Sequence, residues 1–236
     1  MACFPVRGLF PMGVRRVSGA VRCAVFNGAY SSVIGADIGT ISPNTSGLSC
    51  AFWANAHTVP TNQQKCISMY DNRTSKKTGP QWNIGNSTSG MQMRAIYQYV
   101  TGFAFVSTGA QTDEWHHYAF SWSPNSMTYY YDGTSVSTEA KANYWLRDGN
   151  SANLLVQIGG TIADGNQAID GKIASVHIFD RAITAAEAAT LAASHGATLS
   201  AWHQWLFAND DGTDTGTAST KWDLTVGSTT AFADVS

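Results

Sequence analysis

The chain has 236 residues, 44% of them hydrophobic and 13% charged, with a formal net charge of −2. That apolar share is ample for a core, while the charged share falls well below the ~25% of ordinary globular proteins. Ser, Thr, Asn and Gly fill the surface instead, a composition that leans toward an exposed β protein and away from a cytosolic enzyme. No stretch approaches the ~20 consecutive apolar residues of a membrane-spanning helix, so no membrane partner is expected.

The charge is unevenly placed. Residues 1–36 carry Arg7, Arg15, Arg16 and Arg22 and no acid, whereas residues 200–236 carry Asp210, Asp211, Asp214, Asp223 and Asp234 against Lys221. Four arginines without a lysine-rich run make a small patch. A protein partner, or the chain's own acidic tail, suits it better than nucleic acid.

Residues 1–18 read as an N-terminal arm, because Pro5, Gly8, Pro11 and Gly13 forbid a helix. Phe4, Leu9, Phe10 and Met12 are too apolar for a comfortable solvated tail. With Arg7, Arg15 and Arg16 they form a candidate docking segment for a neighbouring subunit or a host surface, the alternative being a flexible terminus. The arginines and the lack of an apolar run of about seven residues also speak against a secretion signal. An exposed β protein without such a signal fits release by lysis, as for a phage virion component.

Strands are predicted at Val21–Phe26 and Tyr30–Val33 around the Asn27-Gly28 turn, with residues 35–47 as a Gly/Ser/Asn-rich loop. Further strands follow at Leu48–His57, Cys66–Tyr70, Gln81–Ile84, Met91–Tyr99 and Gly102–Ser107. The clearest signal is Asp113–Gly133. Two aromatic runs, Trp115–Trp122 and Met127–Tyr131, flank a Ser-Pro-Asn-Ser turn, and Asp132-Gly133 makes a second turn. Alternation places His116, Tyr118, Phe120 and Trp122 on one face and Trp115, His117, Ala119 and Ser121 on the other. Large groups on both faces predict a central strand in a two-layer structure.

Leu154–Ile158 and Gly171–Phe179 complete the predicted sheets. One helix follows, with Thr184 as N-cap, Glu187 closing a capping box and Gly196 ending it. The segment 199–236 is expected to add strands at Trp202–Phe207 and Trp222–Val226.

Trp-His-His, a turn and Tyr-x-Asp-Gly at residues 115–133 resemble the signature hairpin of the laminin G-like, concanavalin A-like jelly rolls. Gly19–Gly28 resembles the opening strand of that family, Leu48–Trp53 its next apolar strand, and Gly171–Glu187 its closing strand and helix. The four stretches occur in family order over roughly residues 19–195. The resemblance implies an all-β fold: a concanavalin A-like jelly-roll sandwich of two antiparallel sheets with one short helix, as a single domain over 19–236.

The resemblance also implies calcium as the common ligand, but the acidic positions are replaced. The family's Gly-x-Asn-Asp-Tyr-Val reads Gly28–Val33 here, and its Lys-Ile-Asp-Glu-Val reads Lys172–Val176, with Ala174 and Ser175 in place of the acids. No metal or other cofactor is therefore expected. Asp164, Asn166 and Asp170 cluster in a loop and read as a solvated turn, the alternative being a different calcium site.

Catalytic signals are sparse. The chain has three Glu residues, Glu114, Glu139 and Glu187. Glu187 is taken by the capping box, and the adjacent Asp113 and Glu114 face opposite ways along a strand, so no carboxylate pair for glycoside hydrolysis emerges. No G-x-S-x-G elbow is present. His117 reads as a hydrogen-bonded core histidine. The four cysteines form no CxxC pair. A Cys50–Cys66 disulfide stays an alternative, but Cys50 lies in an apolar strand, and buried thiols are the expected state.

Many exposed-strand aromatics could stack on sugar rings. The candidate contact pair is Tyr144-Trp145, in the loop-like stretch between Gly133 and Gly149. The expected function is a non-catalytic virion-surface protein, a capsid decoration or fibre component. Its partners would be capsid or fibre subunits, further copies of itself, or surface glycans. The alternative is a carbohydrate-binding adhesion lectin, virion-borne or extracellular, and the remote one is a glycoside hydrolase.

Overall fold

The computed structural model describes residues 21–28, 34–41, 47–57, 64–71, 81–84, 92–95, 104–107, 112–140, 152–160, 168–195, 197, 199–207, 212–218, 223–224 and 231–235. Its strands are β1 (Arg22–Asn27), β2 (Ile34–Ile41), β3 (Leu48–Ala56), β4 (Gln64–Asp71), β5 (Gln81–Ile84), β6 (Gln92–Ala95) and β7 (Ala104–Ser107), then β8 (His116–Ser123), β9 (Ser126–Tyr131), β10 (Thr134–Ala140), β11 (Ala152–Ile158), β12 (Asp170–Phe179), β13 (His203–Trp205) and β14 (Ala231–Asp234). One helix, α1 (Ala185–Ala192), follows β12.

Two antiparallel sheets result. The first runs β10-β9-β8-β3-β12-β1-β14, with β13 also on β12, and the second runs β2-β11-β4-β5-β6-β7. The architecture is an all-β sandwich of the concanavalin A-like jelly-roll type, as the family resemblance implied.

The hairpin at its centre follows from local chemistry. Ser123 pairs with Ser126 across Pro124 and Asn125, and the Ser126 amide donates to Ser123 Oγ at 3.0 Å. At the other end Tyr131 pairs with Thr134. The two residues between them, Asp132 (φ 47°) and Gly133 (φ 76°), both take the positive φ that a tight primed turn needs. β8 lies between β9 and β3, so it is central.

Its inward residues Tyr118, Phe120 and Trp122 join Phe26, Phe52, Tyr129 and Trp205 from the first sheet and Ile67, Met69, Val156 and Ile158 from the second in one buried core. Burying each such side chain contributes about 1.5–3 kcal/mol, so this layer holds the sheets together.

The outward face of the first sheet makes a second core. Ala51 and Ala119 are small, which leaves room for Ile183, Ala188 and Leu191 to pack against them together with Tyr130 and Phe179. Ser49 and Ser121 fasten the entry to the helix: Ser49 Oγ donates to the Arg181 carbonyl at 2.8 Å, and Ser121 Oγ to that of Ile183 at 2.7 Å. The capping box forms as predicted, with Thr184 accepting from the Glu187 amide. Thr184→Ala is expected to cost about 1 kcal/mol, read as a melting temperature lower by roughly 2–4 °C.

Several expectations are corrected. Residues 34–41, assigned largely to a loop, form β2 at the sheet edge against β11. A Cβ on Gly35 would lie 3.0 Å from the Val156 carbonyl, so its glycine serves a close strand approach and does not signal a loop. The stretch after Gly133 begins as β10, paired to β9 through a bulge at Ser135/Ser137. Asp223 and Leu224 are not in a strand, and the outermost strand is instead β14, paired with β1. Phe232 on β14 packs against the core, so apolar burial selects that segment. The helix caps at Ala193, before Gly196, which lies outside the described residues. The described thiols Cys23 and Cys50 are buried and not in disulfides, and burial pushes the Cys50 thiol up in pKa. Arg22 does meet the acidic tail, at 2.6 Å from Asp234.

Candidate functional site: a histidine–carboxylate rim

One end of the first sheet gathers exposed chemistry. β3 ends there, β12 begins there, and the chain enters β8. The Asp113 amide donates to the Ala56 carbonyl at 2.8 Å, and the His57 amide to the Asp170 carbonyl at 2.9 Å. These two bonds set His57 beside Asp113, so that His57 Nδ1 donates to Asp113 Oδ1 at 2.7 Å. Both side chains are well exposed, at 65% and 63%. Asp113 and, more weakly, Asp170 hold the imidazolium form, raising the His57 pKa. Asp113 takes φ 61°, which an Asp tolerates better than a bulkier residue.

The neighbouring pair is built on the second turn. Asp132 Oδ2 accepts from His116 Nδ1 at 2.8 Å, and its Oδ1 from the His117 amide at 2.8 Å. The His116 ring stacks on Tyr131, with centroids 4.9 Å apart. Glu114 lies 3.6 Å from His116 Nε2. Trp115, between Glu114 and His116 in the chain, is half-buried. The rim thus presents exposed carboxylates and the His57 imidazole, groups that accept from and donate to a polyhydroxylated ligand, with the more deeply set rings of His116 and Trp115 next to them in the chain.

The other histidine–carboxylate pair is of a different kind. His203 Nδ1 meets Asp214 Oδ2 at 2.6 Å, and both side chains are wholly buried. Asp214 Oδ1 also accepts from the Gln204 and Gly216 amides. No substrate reaches this pair, and its work is to fasten residues 212–218 onto β13.

Tyr144 and Trp145, and the arm residues Phe4, Arg7, Leu9, Phe10, Arg15 and Arg16, lie outside the described residues, as do Asp164 and Asn166. His116 and His117 face opposite ways as alternation required. His117 is buried, as a core histidine should be, and its Nδ1 has no hydrogen-bond partner among the described residues. It packs edge-on against Trp53, a contact that only the β3–β8 register creates. Glu187 is engaged by both Arg181 and Thr184, which hold its carboxyl down to about 2.

Of the two stretches at which the family resemblance implies calcium ligands, residues 29–33 lie outside the described residues, and Lys172–Val176 is described. Ala174 is buried and carries no oxygen ligand, and Ser175 Oγ donates to the His195 carbonyl. Among the described residues no group of three or more His, Cys, Asp or Glu side chains is placed to hold a metal ion. Among them, too, no helix is long and apolar enough to cross a membrane.

The fold is shared with solved structures at low identity. A putative carbohydrate binding protein from Bacteroides ovatus superposes with TM-score 0.62 at 11% identity, over 92% of this chain and 62% of that one. A native heptameric SAP-like pentraxin from Limulus polyphemus gives 0.59 at 13% identity, over 92% of both chains. A Trypanosoma rangeli sialidase gives 0.50 at 13% identity, over 63% of this chain and 23% of that one. No curated protein sequence matches the chain. The laminin G-type model of the concanavalin A-like lectin/glucanases superfamily matches residues 27–189, and the chain belongs to that superfamily.

Proposed function

We propose that this protein is a non-catalytic adhesion module that recognises surface glycans through the rim of His57, Asp113, Glu114, Trp115, His116 and Asp132. The observation that carries the reading is the exposed His57–Asp113 pair at the end of the first sheet, with the exposed Glu114 next to it in the chain. The lectin-type superfamily and the likeness to a putative carbohydrate binding protein support it. The case against catalysis rests on the carboxylates' existing work: Glu187 caps α1, Asp214 is sealed in the interior, and Asp132 closes a turn.

A virion surface is the compartment in which we place this adhesion, with the arm residues Phe4, Arg7, Leu9, Phe10, Arg15 and Arg16 meeting a capsid or fibre subunit. The low charged content supports an exposed setting. Assembly into a homo-oligomer is part of the same reading, supported by the heptameric pentraxin likeness.

A glycan array in calcium-free buffer tests the proposal. A specific hit is expected, and the His57→Ala, Asp113→Ala double variant should lose at least about tenfold in affinity. Both side chains are exposed, so the fold should survive with its melting temperature nearly unchanged. Silence on the array, or a variant that binds as the parent does, would overturn the rim assignment.

A further inference from the structure

The outward face of the first sheet holds three histidines that the rim does not use. His117 on β8 and His177 on β12 are buried, at 1% and 2% exposure. They flank β3, where Trp53 stands opposite His117 and Ala51 opposite His177. A bulge in β12 at Ser175 (φ 52°) resets the strand so that His177 faces outward again. His195 comes down on them from the segment that follows α1. Its ring lies 4.0 Å from that of Trp53 and edge-on, at 5.0 Å, to that of Trp115.

Buried polar atoms here lack hydrogen bonds: His117 Nδ1, both His177 nitrogens, His195 Nε2 and Trp115 Nε1. Among the described residues no carboxylate is placed as a counter-charge to them. The charges that act on His117 are those of His177 and His195 themselves. The Ser175 and Ala197 carbonyls lie beside His177 without reaching hydrogen-bond geometry. β3 adds Trp53 and Asn55, β13 adds Gln204 opposite His177, and none of these titrates. The Asp132 carboxylate engages the His117 backbone amide and the His116 ring, not this cluster.

We infer that His117, His177 and His195 form an acid-released latch that holds the C-terminal end of α1 and the segment after it onto the sheet. Above the ordinary histidine range all three are neutral and pack as aromatics against Trp53, Trp115 and Phe179. Protonation would put like charges near one another with no carboxylate facing them among the described residues, and the segment after α1 carries one of them. Burial holds His117 down to about 3 and His177 to about 4, and it lowers His195. These values lie below the ~6.5 of a free histidine. The closed state is therefore at full strength above about 6.5 and weakens as pH falls through 5 toward 4.

The two ends of the helix differ in this respect. At the N-terminal end Glu187 titrates at about 2, so its bonds to Arg181 and Thr184 persist through the same range. At the C-terminal end the ties are Trp53 Nε1 donating to the Leu191 carbonyl at 3.3 Å and Ser175 Oγ donating to that of His195. Acid thus frees one end while the other stays hinged.

Hydrogen exchange read by mass spectrometry on the full chain tests the latch. Protection factors, corrected for intrinsic rates, are compared at pH 7.5 and 4.5. Each histidine fully relieved of burial favours opening by up to roughly 100-fold over two pH units. Amides in residues 188–195 should therefore lose at least tenfold in protection at pH 4.5, while β3 and β8 keep theirs. Trp53 and Trp115 emission should shift to the red over the same pH range. The double variant His177→Gln, His195→Phe should stay protected at pH 4.5, and His195→Phe alone, which preserves the ring stack, should open at lower pH than the parent. Equal protection of 188–195 at both pH values, loss of β3 and β8 protection in step with it, or a His195→Phe variant that opens with the parent would overturn the inference.

Discussion

Replacing Asp214 with alanine is expected to lower the unfolding free energy by about 3–5 kcal/mol, the usual cost of breaking a buried pair by removing one partner. For a chain of this size that is roughly 6–20 °C in melting temperature. The carboxylate serves three donors: His203 Nδ1 at 2.6 Å, the Gln204 amide at 3.0 Å and the Gly216 amide at 2.9 Å. Alanine strands all three in a site that water does not reach. Asp214→Asn keeps an acceptor for the two amides and should cost less than half as much. Thermal and denaturant unfolding of both variants checks the ordering, and an alanine variant as stable as the parent would show that the C-terminal segment is not fastened by this residue.

Trp122→Ala should be comparably damaging, at about 3–5 kcal/mol for an aromatic deleted from a packed core. Trp122 is 1% exposed, packs edge-on to Phe120 at 6.0 Å, and is paired in the ladders with Leu48 and Met127. It therefore ties the central hairpin to β3 and to the core at once. Val136→Ala is the control, since Val136 is 41% exposed on the edge strand β10 and should change stability by no more than about 0.5 kcal/mol. Urea unfolding separates the two.

The rim and the latch use the same run of chain in opposite directions. Alternation along Glu114–His117 sends His116 toward Asp132 and Tyr131, and His117 toward Trp53. Trp115 precedes both in the chain and packs edge-on to His195. The hairpin that dominates the sequence pattern is thus also where the chemistry concentrates.

What could be read from the sequence alone was local. The period-two aromatic pattern of residues 115–131 specified a central strand, because side-chain direction along a strand follows from position alone. The Thr184–Glu187 spacing specified the start of α1, because a capping box closes within one turn. Family order along the chain then specified the jelly roll. Other features were decided only by tertiary structure, because their partners are distant in the chain. His57 and Asp113 are 56 positions apart and meet only through backbone bonds at the sheet end. β14 reaches β1 from more than 200 positions away, as the Arg22–Asp234 pair shows. The three histidines come from β8, β12 and the segment after α1, and no spacing announces them. Strand register and the Ser175 bulge put them on one face, and burial there makes their protonation costly.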